Sequence, residues 1–594
     1  MLDSKIVGGL VVDGTGTAPF RADVGVKDGQ IVDVHRVAGA GAGAGGIETE
    51  AAETIDATGR YVLPGFVDIH THYDGQVTWD SLLEPSSSHG VTTVVSGNCG
   101  VGFAPVTPGR EPWLIELMEG VEDIPGTALT EGMTWGWESF PGYLDRLADR
   151  ELAVDFGVQV AHGPVRAYVM GDRGARNEAA TADDIAAMAR LVQEAVEAGA
   201  LGFSTSRTVA HRAMNGEPVP GTYAAEDELF GLGRAMARGG RAVFELAPTG
   251  SAGEDLVAPA RELDWMRRLA KEIDRPVSYA LLQVDAAPTM WRELMESSAA
   301  AFQAGSPLYP QIAARPFGML IGFAGHHAFT HRPSFRALAH LSPAERGFEL
   351  AKPAVRKAIL AEEDLPVDRA RQFDGMKDLI AFSLDRLYAM GDPPDYEPTR
   401  EQTVAAIAER RGVGGLEALY DLMLEQAAGT DHPATSMLMI PFFNYAEANH
   451  DVIREMLTHP AGVSGLSDAG AHCGMICDAS YPTFLLTHWV RDRHRGARLP
   501  LEHVVKKQTS DTAALFGLGD RGVLAPGKRA DLNVVDLDRL TLHTPRMAYD
   551  LPAGGRRLVQ DASGYDLTMV AGTVTRRDGL DTGARPGRLI RGAR

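Results

Sequence analysis

Cysteine is almost missing from this chain: three residues, Cys99, Cys473 and Cys477, among 594. Three thiols cannot build a disulfide framework, and Cys473 and Cys477 are spaced too widely for a CxxC pair, so a reducing, cytoplasmic setting is expected. Positive charge is also scarce. Lys and Arg number 57 against 79 Asp and Glu, a formal net charge of −22, and a nucleic-acid binder would need a basic patch. No apolar run reaches the ~18 residues of a membrane span. Met1-Leu-Asp-Ser-Lys-Ile shows no basic segment leading into an apolar stretch, so no signal peptide is expected. The expected partner is therefore a small-molecule substrate, with neither nucleic acid nor membrane, and self-association as a homo-oligomer left open.

What is present is an ordinary globular composition, 44% hydrophobic and 23% charged, in a chain long enough for more than one domain. Residues 5–12, 22–27, 30–34 and 52–63 are short β-type runs between Gly and Asp turns, interrupted by a Gly/Ala-rich loop at 38–46. Residues 529–536 and 567–575 are strand-like again. Two β-rich ends around a long middle predict one small β-sandwich-like domain assembled from residues 1–62 and 520–594.

The middle, residues 63–519, alternates strands with helices. Eight strands are expected at 62–72, 91–98, 154–162, 199–206, 241–248, 275–283, 306–315 and 462–468, the pattern of a TIM (β/α)8 barrel. Between the third and fourth, Thr181 and Asp184 form a capping-box pattern ahead of an apolar stripe at Ile185, Met188, Leu191, Val192 and Val196. Two connections, about 100–150 and the helical stretch 317–460, are far longer than usual and are expected to cover the site as lids.

Chemistry concentrates at strand ends. In Leu63-Pro-Gly-Phe-Val-Asp-Ile-His-Thr-His72, His70 and His72 are two apart on an extended run and share a face. Two such imidazoles can take adjacent positions on one divalent metal. Cys99 ends strand two beside Gly100, and Asp468 ends strand eight. A thiolate and a carboxylate there could complete the same centre, whereas the plain readings are an inert buried thiol and a helix cap.

Several of these segments resemble the amidohydrolase superfamily, and within it the D-aminoacylase (N-acyl-D-amino-acid deacylase) branch. Pro64 to His72 is similar to its first barrel strand, and Gly97-Asn-Cys-Gly-Val-Gly-Phe-Ala-Pro105 to its second-strand motif. Ala161-His-Gly-Pro-Val-Arg166, Gly199 to Thr205, His459 to Asp468, Tyr481 to Arg491, Asp520 to Leu532 and Thr582 to Arg588 continue the likeness in order. The resemblance implies a hydrolase of carbon–nitrogen bonds other than peptide bonds, acting on an N-acyl (D-)amino acid or related compound, with Cys99 as a metal ligand beside His70, His72 and Asp468. It also implies metal-binding histidines on strands five and six. Here those strands read Arg241 to Pro248 and Arg275 to Gln283 and hold none. Glu245 or Gln283 could stand in, so one zinc per chain is expected, or two if Glu245 bridges. No strand end offers a lysine for carboxylation, and His472, Cys473 and Cys477 replace the residues that follow the family's strand-eight aspartate. Asp468 is expected to shuttle the proton and His162 to donate to the oxyanion. Arg166 and Arg315 are candidates for a substrate carboxylate, with structural ion pairs as the alternative. His326, His327 and His331, in the long insertion, are expected at its surface or packed in the lid, with reach into the site as the alternative. A cyclic amidase, a deaminase, or a metal-poor pseudoenzyme with a binding role are the competing readings.

Overall fold

The computed structural model describes residues 1–37, 46–366, 375–425 and 437–592. All of the Gly/Ala-rich stretch except Gly46 lies outside them.

The two chain ends meet on the strand Tyr61–Pro64. It runs parallel to Leu2–Val11, with Leu10 opposite Tyr61, and antiparallel to Leu532–Val535, with Leu63 opposite Asn533. Around it a nine-stranded sheet forms from both termini. The sequence reading of a sandwich is corrected here: this is one sheet curled over one core. Its far strand, Gln30–Arg36, returns to the segment before Leu532 through Ile31 N–H to Lys528 O and Ala530 N–H to Gly29 O. Ile6, Val24, Val26, Val62, Leu532 and Met569 fill the inside. Curling gives the apolar face a partner, which a flat sheet of this size would lack.

At Gly65 the chain passes directly from this sheet into the α/β part. The run expected as one strand at 62–72 is thus two, divided where a Cβ on Gly65 would collide with the Thr92 side chain at 2.2 Å. The parallel strands are β1 Phe66–Asp68, β2 Val91–Ser96, β3 Asp155–Val158 continued at Val160–Ala161, β4 Gly202–Ser206, β5 Val243–Ala247, β6 Val277–Ala280, β7 Leu308–Ile312 and β8 Val463–Ser464. Each pairs in parallel with the next as far as β7, and β7 pairs with β8. A parallel bridge from Thr71 to Ala469 joins the residues after β1 to those after β8. All eight expected strands are present, each shorter than its apolar run.

These strands are buried on both faces, as parallel strands covered by helices are. Ser204, Glu245 and Ser278 are register neighbours on β4, β5 and β6 and form a polar layer. The expected helix is Ala182–Ala198, with its capping box between Thr181 and Asp184. The long insertion holds, besides helices such as Pro353–Ala361 and Val404–Arg411, a three-stranded antiparallel sheet that the sequence reading did not anticipate. That sheet joins Gly318–Ile321, Leu438–Pro441 and Tyr388–Ala389 over a separate apolar core. The C-terminal tail comes back to β3, with Phe156 N–H donating to Arg588 O at 3.0 Å, and beside it Asp155 takes Arg521 at 2.6 Å and Arg529 at 2.9 Å from the segment before Leu532.

Candidate metal centre

Asp68, at the end of β1, sets up the site. One of its oxygens accepts from the His70 N–H at 3.2 Å and the other from Ser467 Oγ at 2.6 Å, tying the segments after β1 and β8 together. His70 and His72 follow in extended chain, their rings 5.5 Å apart. Cys99 sits in a turn framed by glycines. Gly97 has φ +77° with Gln159 O in the space of a Cβ, and Gly100 has φ +71°. Cys99 itself has φ 54°, a strained conformation for a side chain that is held in place nonetheless. Asn98 locks this turn by donating to Thr71 O and Val95 O while accepting from Gln159.

The donor atoms converge. One ligand atom each from His70, His72 and Cys99 lies within 4.8 Å of the others. His70 Nε2 is 3.4 Å from Cys99 Sγ and 3.2 Å from Asp468 Oδ1, and His72 Nε2 is 3.6 Å from the same carboxylate oxygen. Gln311 Oε1, 2.8 Å from His70 Nδ1, accepts that N–H and leaves the Nε2 lone pair toward the cluster. His72 is 1% exposed and has no hydrogen bond at either ring nitrogen. A buried imidazole without partners is costly unless a metal takes its lone pair. The donor set and this orphaned ring both fit a divalent ion.

Electrostatics point the same way. Burial lowers His70 to about 4 and His72 to about 3, keeping both neutral and ready to coordinate. Burial raises Asp68 and Asp74 to about 7 and Glu245 to about 8. Burial and the nearby carboxylates push the Cys99 thiol well up, so that a cation is what would hold it as thiolate.

The cavity at this centre, about 450 Å³, contains residues the sequence reading did not single out for the site. Glu122, last residue of the helix Glu111–Glu122 in the first insertion, brings Oε1 to 3.4 Å from His72 Nδ1 and Oε2 to 3.7 Å from His472 Nε2. Burial raises its carboxyl well above the ordinary range. His211, in the loop after β4, lines the same cavity with Nδ1 3.0 Å from Ser206 Oγ. His472 Nε2 is 3.8 Å from Asp468 Oδ2. Both insertions wall the cavity, the first with Val121 and Glu122 and the second with Phe317, Met319, Phe442 and Phe443.

Four expected residues do not reach it. His162 has both ring nitrogens engaged, Nδ1 with Thr205 Oγ1 and Nε2 with Glu228 Oε1, each at 2.9 Å, so it is not placed to serve an oxyanion. Arg166 donates to Glu228 and to the carbonyls of Gly174 and Glu178. Arg315 pairs with Asp478 at 2.9 Å and lies over the Tyr396 ring. Gln283 ties Glu447 and Asn444 of the long insertion to the end of β6. All four are engaged by partners within the fold, as a buried charge or amide must be wherever the fold puts it. Glu245 stands beside the site: Oε2 accepts the Cys99 N–H at 3.0 Å and Oε1 is 3.9 Å from His70 Nδ1. His327 is buried in the insertion and accepts the Phe329 N–H. His326, His327 and His331 are absent from the cavity lining.

A sequence model of the amidohydrolase family matches residues 53–576. Among characterised relatives, a D-aminoacylase of Alcaligenes xylosoxydans xylosoxydans is 32% identical, over 99% of this chain and 97% of that protein. An N-acyl-D-glutamate deacylase of the same organism is 26% identical, over 99% and 96%. The crystal structure of N-acyl-D-glutamate deacylase from Bordetella bronchiseptica, complexed with zinc and a phosphonate inhibitor, superposes with a TM-score of 0.63 at 24% identity, covering both chains completely.

Proposed function

The chain belongs to the amidohydrolase family, hydrolases of carbon–nitrogen bonds other than peptide bonds, and from that premise we propose that it deacylates an N-acyl amino acid or a related N-acyl compound with one zinc ion. The observation that carries this reading is the buried convergence of His70, His72, Cys99 and Asp468. The architecture that fits it is a (β/α)8 barrel, closed between β8 and β1, with a β domain of residues 1–62 and 520–594 outside residues 63–519.

Zinc held by these four side chains would polarise the amide carbonyl and acidify the attacking water. Asp468 offers Oδ1 to the ligand cluster and Oδ2 to the His472 side of the cavity. It is therefore placed to take a proton from the water and return it to the leaving amine. His211, with one ring nitrogen held by Ser206, takes the role the sequence reading gave His162: its other nitrogen donates to the developing oxyanion. Phe317, Met319, Leu379, Phe442, Phe443 and Ile476 give the cavity an apolar wall, which supports a bulky apolar acyl group.

The test is release of free amine from a panel of N-acyl D- and L-amino acids, acetyl to long-chain and aryl, by protein purified without chelator. Hydrolysis should rise with apolar acyl size and stop on removal of metal. Metal-replete protein that frees no amine from any member would overturn the proposal.

A further inference from the structure

A second group of metal-ligating side chains lies apart from the cavity. Glu397 and His450 belong to the long insertion, and His488 to the π-helical turn Leu485–Asp492 that follows β8. None lines the catalytic cavity. One ligand atom from each lies within 4.8 Å of the other two. His450 Nδ1 is 3.0 Å from His488 Nε2, and Glu397 Oε2 is 3.4 Å from His488 Nε2 and 3.8 Å from His450 Nδ1. Ligands at zinc bond lengths on a tetrahedron stand about 3.3 Å apart, so these spacings suit one ion at their centre.

The surroundings orient the donors. His450 Nε2 donates to Tyr396 O at 2.8 Å, which fixes the proton there and leaves Nδ1 as the lone-pair atom, the arrangement common to metal-binding histidines. Glu397 Oε1 accepts the His450 N–H at 2.7 Å, so the carboxylate and the ring are set against each other by the backbone. Arg493 forks onto the same carboxylate, 2.9 Å to Oε1 and 3.2 Å to Oε2. A carboxylate offers about four acceptor positions, which leaves room on Oε2. His450 and Glu397 are buried, whereas the His488 side chain is 15% exposed and gives an ion and a water a way in. His488 lies within eight residues of π-helix, a form that recurs at functional sites.

We propose that Glu397, His450 and His488 form a second metal centre, of the zinc class and structural in role, that fastens the long insertion to the helix after β8. It is independent of the catalytic centre and of the reaction proposed above. Without an ion, the same atoms would share only the His488 Nε2 proton between His450 and Glu397.

The experiment is a metal count on the His70→Asn/His72→Asn protein, purified without chelator from zinc-supplemented cells, with X-ray absorption at the zinc edge. About one zinc per chain should remain, bound by nitrogen and oxygen with two imidazoles and no sulfur. Adding His488→Leu should remove it. Loss of zinc already in the first variant, zinc bound by sulfur, or zinc that survives the third substitution would each overturn the proposal. The first variant leaves the proposed site untouched, so the outcome does not depend on the folding of the His488 variant.

Discussion

At the scale of residues, His70 and Asp468 do different work and can be separated. Gln311 holds the His70 ring by its Nδ1–H. Gln311→Leu should weaken metal affinity by about 10- to 100-fold, read by competition with a chromophoric chelator, and Gln311→Glu should recover most of it by restoring the acceptor. Asp468→Asn keeps shape but loses the proton acceptor, so kcat should fall by about 10²- to 10⁴-fold while zinc is retained. The convergence of His70, His72, Cys99 and Asp468 was legible because they follow three strands, β1, β2 and β8, whose ends share one mouth. Glu122 and His211 were not. Neither has a spacing that marks it, since Glu122 closes an ordinary amphipathic helix and His211 lies in a loop. Arg166, in the helix His162–Met170, and Arg315, just after β7, misled for the opposite reason: a buried arginine looks alike in sequence whether its carboxylate is a ligand's or, as with Glu228 and Asp478, the protein's own.

At the scale of elements, the helix Glu111–Glu122 carries its last residue into the cavity while packing against the loop that bears His211. Gly120 makes this approach feasible, because a Cβ there would stand 2.4 Å from the Ala213 carbonyl carbon and the Met214 nitrogen. Gly120→Ala should therefore lift the helix from the loop and displace Glu122. A displacement near 1 Å costs about 100-fold in rate, so kcat/KM should drop by that order with zinc content unchanged. The strands were readable from apolar runs bounded by Gly and Pro, and the helix Ala182–Ala198 from its cap. The antiparallel sheet of the long insertion was not, because Tyr388–Ala389 and Leu438–Pro441 are too short for any period to show and pair across a large sequence separation.

At the scale of the whole molecule, the buried acids and imidazoles give the metal-free protein a distinctive pH response. His70, His72 and His472 stay neutral down to about 4, 3 and 4 in the fold against 6.5 when unfolded. Their contribution improves as pH rises to 6.5 and is then complete. Asp68, Asp74 and Glu245 hold their protons to about 7, 7 and 8 in the fold, against 3.8, 3.8 and 4.5 unfolded. Their contribution is lost as pH rises through those values. Between pH 6.5 and 8 only the acids act, so the Tm of chelator-treated protein should fall over that window. Zinc should flatten the fall, because a cation stabilises the ionised carboxylates; a scan with equal slopes with and without zinc would contradict the charge arrangement described here. Proteolysis offers a further check: the terminal sheet should not release its C-terminal strands while its N-terminal strands stay folded.

The strand Tyr61–Pro64, which leads through Gly65 into the ligand segment, also sets a timetable. It leaves the ribosome early, whereas its neighbour Leu532–Val535 is made near the end of the chain. At ordinary elongation rates the interval is roughly 25 to 90 s. Throughout it, this strand has one open edge, and such edges recruit other chains. Nascent protein stalled before residue 532 should therefore be held by chaperones or lost to aggregation. Completing translation closes that edge, and the metal that the proposed reaction needs is a separate requirement.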